Sequence, residues 1–431
     1  MTNYPGALEA PTTSPADNAA DLFAKCLSPR VDEYRAADEL GLNPYYRELS
    51  SEIGPTIIYG GAEVVMLGSN NYLGLTTDPR VKAAAVAAVE RYGTGVTGSR
   101  LLNGTLPLHS ELEELLADWV GFEEALVFTT GYTANLGLIS TLVQTGDAVF
   151  CDSAAHASLV DGAQLASGVL RAFRHNRPNS LRRGLRSWRA HPGGGGVLVA
   201  VDGIYSMEGD WAPLAELREL CDAYQARLLV DEAHALGVVG PHGAGTAVAT
   251  GVRPDLVMGT FSKSLASCGG FIAGPADVIA FLRLFCRPLL FTASNVPASL
   301  GAALAAAKIA REEDWRREAV LAHAKRLRRG LAELGYKVGA DTVSSIVPVH
   351  IGDIPGTAVL WRALLDRGVY TNCSIPPAVQ RPMLRTSVMA THTEEQIDRV
   401  LAAFEDIARN DAVDTGRERL LGLLELDASA L

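Results

Sequence analysis

The chain has 431 residues, 48% hydrophobic and 20% charged, which is enough for a large core and two or three structural units. A net charge of −11 with a pI near 5.4 argues against general affinity for nucleic acid. Six scattered cysteines without a C-x-x-C pair argue against a disulfide framework or zinc knuckle. The opening residues carry no secretory signal and no stretch has the length of an uncharged membrane span, so a cytoplasmic protein is the expectation.

Residues 1–30, rich in Ala, Pro, Thr and Asp, read as a disordered tail. An N-terminal segment follows over 31–75. It holds a helix at RVDEYRAADELG and two short strands around the Gly-Gly turn of TIIYGGAEVVM. PRVKAAAVAAVERYG is a helix with proline in its first turn and glycine at its end. From residue 109 helices and strands alternate. HSELEELLADWVG, YTANLGLISTLVQ, HASLVDGAQLA and LAELRELCDAYQ read as helices. EALVF, AVFCD, GVLVAVDGIYS, RLLVDEAHA and DLVMGTFS read as five strands. They lack clean polar alternation, so the sheet is mainly parallel and covered on both faces. Ligands of such sheets bind beyond the carboxyl ends of the strands. Asp202, Tyr205, Asp231, His234, Ser262 and Lys263 fall there.

A large unit over 76–300 gives way to a smaller α+β unit over 301–410. That unit opens with one long or two adjoining helices, SLGAALAAAKIAREEDWRREAVLAHAKRLRRGLAELG. The tail at 411–431, polar and then Leu-rich, reads as either a short docking helix or disordered chain.

Two stretches have a plain reading and a sharper one. GTGVTG at 93–98 is a literal G-x-G-x-x-G, but it follows a helix and opens none, so a tight loop suits it better than a dinucleotide site. RAFRHNRPNSLRRGLRSWR holds seven arginines. It is a solvated helix face, or a patch for the phosphates of coenzyme A or for an acidic acyl carrier protein.

The chain has six lysines against thirty-two arginines. Five of the lysines lie where arginine would serve. Lys263, in GTFSKSLASCGG, has only small or apolar neighbours, and chemistry that needs a deprotonatable amine cannot use arginine. A Schiff base with pyridoxal phosphate needs such a lysine, an anion for the ring nitrogen, a phosphate cradle and an aromatic stack. Asp231 ends an apolar strand, and a buried carboxylate there calls for a cationic partner or a helix to cap. Gly131 and Tyr132 open a helix after a strand, where free amides bind phosphate. Thr260 and Ser262 add hydroxyls. His156 begins a helix, as a structural residue or as a ring stack. A metal site from Asp231, His234 and His242 fits no zinc spacing, so no metal is expected.

The motifs LGSNNYLGL, GTGVTGSRLLNGT, TGYTANLG, SAAHASL, YSMEGDWAPL, VDEAHALGVVGPHGAG, GTFSKSLASCGG and LRTSVMATHT together resemble the α-oxoamine synthases. These are pyridoxal-phosphate enzymes of the aspartate-aminotransferase fold, and the resemblance leans toward the serine palmitoyltransferase branch. It covers roughly residues 40–408 and implies fold type I, with a mainly parallel seven-stranded sheet. Lys263 is implied to hold the cofactor and move the substrate α-proton. Asp231 is implied to pair with the pyridine nitrogen, His234 to contact the phenolic oxygen and His156 to stack on the ring. Gly131, Tyr132, Thr260, Ser262 and Ser206 complete the cofactor set. Thr292 or Ser294 reaches it from the other subunit of a homodimer with shared sites. Arg385, Asn71 and Ser99 are the implied substrate contacts. The segment IPPAVQRPMLR is shorter than is usual in the family and offers Arg381 as a second carboxylate ligand. The implied reaction is decarboxylative condensation of an amino acid with an acyl thioester, from coenzyme A or a carrier protein. The alternatives are an aminotransferase of the same fold or a non-catalytic partner subunit.

Overall fold

The computed structural model describes residues 22–339, 342–376, 378–410 and 413. Most of both expected tails lies outside these residues. Within 22–30, a 3-10 turn at Ala24–Leu27 leads into the helix Pro29–Glu39.

The strands, in chain order, are β1 (Thr56–Tyr59), β2 (Ala62–Met66), β3 (Glu124–Phe128), β4 (Ala148–Asp152), β5 (Val169–Phe173), β6 (Val197–Asp202) and β7 (Arg227–Asp231). They continue as β8 (Leu256–Thr260), β9 (Gly270–Gly274), β10 (Lys337–Val338), β11 (Ile346–His350), β12 (Val369–Tyr370), β13 (Asn372–Ser374) and β14 (Met383–Ser387). Seven of them form the main sheet in the order β3-β9-β8-β7-β6-β4-β5, with β9 antiparallel to both neighbours and the other pairs parallel. The fold is the α/β architecture implied by the resemblance.

The period of two along each strand divides the core. Val199, Val201, Leu228 and Val230 face Leu181, Leu185 and Trp188 on one side. Leu198, Ala200 and Leu229 face Leu138, Ile139 and Leu159 on the other. Burial on both faces is why these strands read as unbroken apolar runs.

Pattern alone recovers five of the seven strands. The two others are β5 and β9. β5 is one edge of the sheet, and Val169, Arg171 and Ala172 in it are exposed. β9 is GFIAG, poor in strand formers. Gly270 there has a steric reason, since a Cβ would stand 2.5 Å from Gly131 Cα.

The long apolar stretch after 297 is two helices, Pro297–Glu312 and Asp314–Glu333. The first packs with the main sheet through Leu300, Ala303 and Ala307. The second joins a separate core with β1, β2, β11 and the helices Ile354–Asp366 and Glu394–Arg409. A four-stranded antiparallel sheet, β10-β11-β14-β13, and a three-stranded sheet, β1-β2-β12, belong to that core. The loop 93–106 leads to a helix only at Pro107, so GTGVTG opens none.

Candidate active site

The site lies at the carboxyl ends of the main-sheet strands. Asp202 and Asp231 end β6 and β7 and pair in register; both are buried. Asp231 Oδ2 accepts from Asn135 Nδ2 at 2.8 Å, and its Oδ1 accepts from the Ala233 amide at 2.9 Å. The same Asn135 nitrogen donates to Ser158 Oγ at 2.9 Å, and Ser158 Oγ lies 2.8 Å from His156 Nδ1. The Ser158 amide also donates to Nδ1, at 3.2 Å, so Nδ1 is an acceptor and the ring proton sits on Nε2. Burial holds His156 below its ordinary value; Asp231 opposes this and Lys263 reinforces it. Burial pushes the Asp202 carboxyl well above its usual range, and Asp231 beside it adds to the push. Asp202 Oδ1 accepts the His156 amide at 3.1 Å. Sequence reasoning found His156 and Asp231 but not the Asn135–Ser158 link between them. The available signal was position: Asn135 follows Gly131 by one helical turn, and Ser158 follows His156 by two residues.

Lys263 sits half-buried three residues beyond β8. Burial pushes its amine down to about 8 against the pull of Asp231, and the Arg385 charge acts with burial. Such an amine is partly neutral near pH 7 without a dedicated base.

Gly131 and Tyr132 open the helix Gly131–Leu142. Their amides precede the first turn, so no helical carbonyl can accept them. Thr130 caps the helix through Thr133 N at 3.0 Å. A Cβ at Gly131 would stand 3.0 Å from Thr260 Oγ1, so glycine brings this helix end against Thr260. Ser262 Oγ is 3.3 Å from the Thr260 hydroxyl. The Tyr132 ring points elsewhere, its hydroxyl bonding the Asp161 carboxylate. Tyr132 therefore offers the site its backbone and not its ring.

Arg385 approaches from the other core. It lies mid-strand in β14, opposite Pro348 and Asn372, and is 5% exposed. Its Nε donates to the Ser206 carbonyl at 2.6 Å and its Nη2 to Tyr72 Oη at 3.1 Å. Tyr72 Oη lies 2.7 Å from His234 Nδ1. Burial holds His234 well below its ordinary value, with Lys263 and Arg385 acting the same way. Tyr72 thus joins two predicted residues without having been assigned a role itself. Arg381 is exposed, whereas Arg385 is buried and bonded to Ser206 and Tyr72.

Other predicted residues stand apart. The buried Asn71 amide bonds the Ile53 carbonyl at 3.1 Å and Thr76 Oγ1 at 2.6 Å. Ser99 closes a turn, its carbonyl accepting from Leu102 and Gly104. Ser294 bonds Gly98 O through its amide at 2.9 Å and His109 Nε2 through its hydroxyl at 3.1 Å. Thr292 is half-buried beside the exposed Phe291, and no hydrogen bond joins it or Ser99 to Lys263 among the described residues. Ser206 meets Arg385 through its carbonyl and not its hydroxyl. His242 is exposed, and no cluster suited to a metal ion occurs among the described residues.

A buried carboxylate with a fixed amide behind it, a lysine amine tuned to about 8, and a glycine-opened helix end beside two hydroxyls fit pyridoxal phosphate. Fold and site define a pyridoxal-phosphate-dependent enzyme of the aspartate-aminotransferase fold. The family model described as aminotransferase class I and II matches residues 62–404. The chain is 44% identical over 391 residues to a serine palmitoyltransferase of Caulobacter vibrioides, covering 90% of this chain and 96% of that one. It is 43% identical over 375 residues to an 8-amino-7-oxononanoate synthase of Anaeromyxobacter dehalogenans, covering 86% and 93%. The serine palmitoyltransferase of S. paucimobilis, solved as a variant with a bound PLP-myriocin aldimine, superposes with a TM-score of 0.87 at 38% identity, covering 92% of this chain and all of that one. The chain belongs to the aminotransferase class I and II family and, within it, to the α-oxoamine synthases. It is a pyridoxal-phosphate-dependent acyltransferase.

Proposed function

We propose that the enzyme condenses serine with a long-chain acyl thioester, releasing thiol and carbon dioxide and leaving an α-amino ketone. The carrying observation is that Lys263, Asp231 and Arg385 come from three separate elements, and the Asp231 and Arg385 charges both act on the Lys263 amine. Identity to serine palmitoyltransferase over nine-tenths of the chain supports the choice of serine.

Asp231 would hold the pyridine nitrogen of pyridoxal phosphate and His156 would pack on its ring, oriented by Ser158 and Asn135. His234 reaches the phenolic oxygen. The Gly131 and Tyr132 amides and the Thr260 and Ser262 hydroxyls would hold the phosphate, and Ser206 is the further residue assigned to the cofactor set. When bound, pyridoxal phosphate supplies an electron sink for the carbanion that the condensation requires. Arg385 holds the substrate carboxylate as a planar cation with bidentate reach. Lys263 Nζ takes the α-proton, and its lowered value makes a neutral base available. Asn71 and Ser99 act through the loops they fix.

The chain works as a homodimer. Phe281, Leu284, Phe285, Phe291 and Val296 are large apolar residues left exposed in one short run of chain, as an interface requires. Thr292 lies within that run and completes the partner's phosphate site. Mixed dimers of Lys263→Ala and Thr292→Ala chains test this: sharing predicts that one site of each heterodimer loses both residues while the other keeps both, so activity returns.

The acyl donor is an acyl carrier protein. Arg171, Arg174, Arg177, Arg182, Arg183 and Arg186 are exposed and have no carboxylate partner among the described residues. They run from the middle of β5 along the helix Pro178–Arg189, which is about 18 Å long. Leu181, Leu185 and Trp188 of that helix are buried, so the face lacks the apolar wedge of a membrane-binding helix. The setting is cytoplasmic, and no described helix is long and apolar enough to cross a membrane.

The test is mass spectrometry of products from serine, alanine and glycine with C16 acyl-coenzyme A and C16 acyl carrier protein. Thiol and carbon dioxide in equal amounts with an α-amino ketone support the proposal. A keto acid formed without thiol makes the enzyme an aminotransferase.

A further inference from the structure

His175 lies within the arginine-rich stretch at 171–189 and in none of the family motifs above. Its Nδ1 is 2.9 Å from Asp152 Oδ1 and its Nε2 is 2.9 Å from Asp210 Oδ2. A carboxylate at each ring nitrogen requires a proton on both, so the ring is an imidazolium. Asp152 ends β4 and is 1% exposed. Asp210 belongs to the loop that follows β6. The clamp therefore ties that loop to the main sheet.

The same loop carries the Arg385 contact. Tyr205 N donates to Asp210 O at 3.0 Å and Gly209 N to Tyr205 O at 2.9 Å. Ile204 and Trp211 form a β-bridge at the base. The Tyr205 ring meets the His175 ring edge-on, with centroids 4.4 Å apart. Asn176 adds a bond from Nδ2 to Asp210 Oδ2 at 2.7 Å. Ser206 follows Tyr205, and its carbonyl is the acceptor for Arg385 Nε at 2.6 Å. A charged histidine at the base thus fixes the carbonyl at the tip, and that carbonyl sets the plane of the guanidinium.

We propose that His175, held between Asp152 and Asp210, is a positioning residue that fixes the 203–211 loop so that Ser206 aims Arg385 at the amino-acid carboxylate. The inference rests on the carboxylate role given to Arg385 above. His175 is bonded to Asp152 and Asp210 and to none of the residues assigned to cofactor or substrate. It acts through two carboxylates, one loop and one carbonyl. Burial lowers the histidine, but the two aspartates outweigh it and hold the ring up at about 10, so the clamp stays charged throughout the neutral range.

The test uses the full-length, cofactor-loaded enzyme with the variants His175→Gln, Asp210→Asn, the double variant and Arg385→Lys. The dissociation constant of L-serine is read from the cofactor absorbance without acyl thioester, so no turnover enters it. His175→Gln is expected to weaken serine about tenfold, with kcat at saturating serine and KM for the acyl thioester changed less than about twofold. The double variant recovers part of the loss, because it no longer leaves two unbridged carboxylates. Hydrogen exchange at the Tyr205 and Gly209 amides quickens in His175→Gln. Serine binding within about twofold of wild type in a folded, loaded His175→Gln enzyme overturns the inference. So does a fall in kcat with serine affinity unchanged. Arg385→Lys separates the two layers. If it weakens serine while His175→Gln does not, only the positioning role falls. If Arg385→Lys binds serine like wild type, the carboxylate assignment falls and the inference falls with it.

Discussion

The Lys263 amine near 8 fixes how fast the empty enzyme captures its cofactor as pH changes. Only the neutral amine attacks an aldehyde. An ordinary lysine near 10.4 is neutral in fewer than about one molecule in a thousand at pH 7, whereas an amine at about 8 is neutral in about one in ten. The expected advantage at pH 7 is roughly 200-fold in reactive fraction. Stopped-flow mixing of stripped enzyme with pyridoxal phosphate from pH 6 to 10 measures it. A blocked lysine derivative, run in parallel, removes the titrations of pyridoxal phosphate itself. The log of the capture rate should climb with a slope of about one and level off near pH 8. Two variants carry opposite signs. Asp231→Asn removes an anion that favours the ammonium form, so the break moves down. Arg385→Ala removes a cation that disfavours it, so the break moves up. Linkage gives a second reading with the same sign. The folded amine sheds its proton before the unfolded one, so the stripped enzyme gains stability as pH rises from about 8 toward 10.4. A break near 10.4, or two variants that shift the break the same way, refutes the electrostatic account.

Three further outcomes follow from the geometry. Asn135→Ala removes a charge-assisted bond to buried Asp231 and should cost the stripped enzyme about 1.5–3 kcal/mol in urea unfolding; a loss under about 0.5 kcal/mol counts against the relay. Gly131→Ala places a Cβ 3.0 Å from Thr260 Oγ1 and should leave the fold intact while weakening pyridoxal phosphate about tenfold by equilibrium titration, and unchanged affinity removes the phosphate site from this helix end. His175, raised to about 10, contributes stability that is complete below the unfolded value of about 6.5 and lost as pH rises through about 10; wild type should therefore lose more melting temperature than His175→Gln between pH 7 and pH 10.

Sequence pattern recovered those parts of the fold whose side chains pack both ways. β4, β6, β7 and β8 are buried throughout or nearly so, and their apolar runs announce it. β5 is held mainly by pairing with β4, a force that leaves little mark on an exposed edge strand. β9 trades strand propensity for close approach at Gly270, and its reason is visible only once Gly131 stands against it. The site divides the same way. Lys263 and Asp231 were legible because each is chemically conspicuous where it stands. Tyr72, Asn135, Ser158 and His175 were not, because each acts through a partner distant in sequence or shared with a common structural role. The bond from Tyr72 to His234 spans 162 residues and that from Arg385 to Tyr72 spans 313. No local pattern encodes a contact of that kind.

The charges of the site come from different parts of the fold, and this bears on how substrate is gripped. Asp202 and Asp231 belong to the main sheet, whose hydrogen-bonded register holds them side by side. Arg385 belongs to the antiparallel sheet of the other core. Its link to the main-sheet side runs through one carbonyl and one phenol, Ser206 and Tyr72. A carboxylate that bonds Arg385 while its amino carbon stands over Lys263 must therefore span both cores. An amine substrate without a carboxylate forgoes that grip even if it fits the rest of the cleft. On the carboxylate role proposed for Arg385, the site favours α-amino acids before the acyl donor arrives, through a cation carried on one sheet and an amine carried beyond the other.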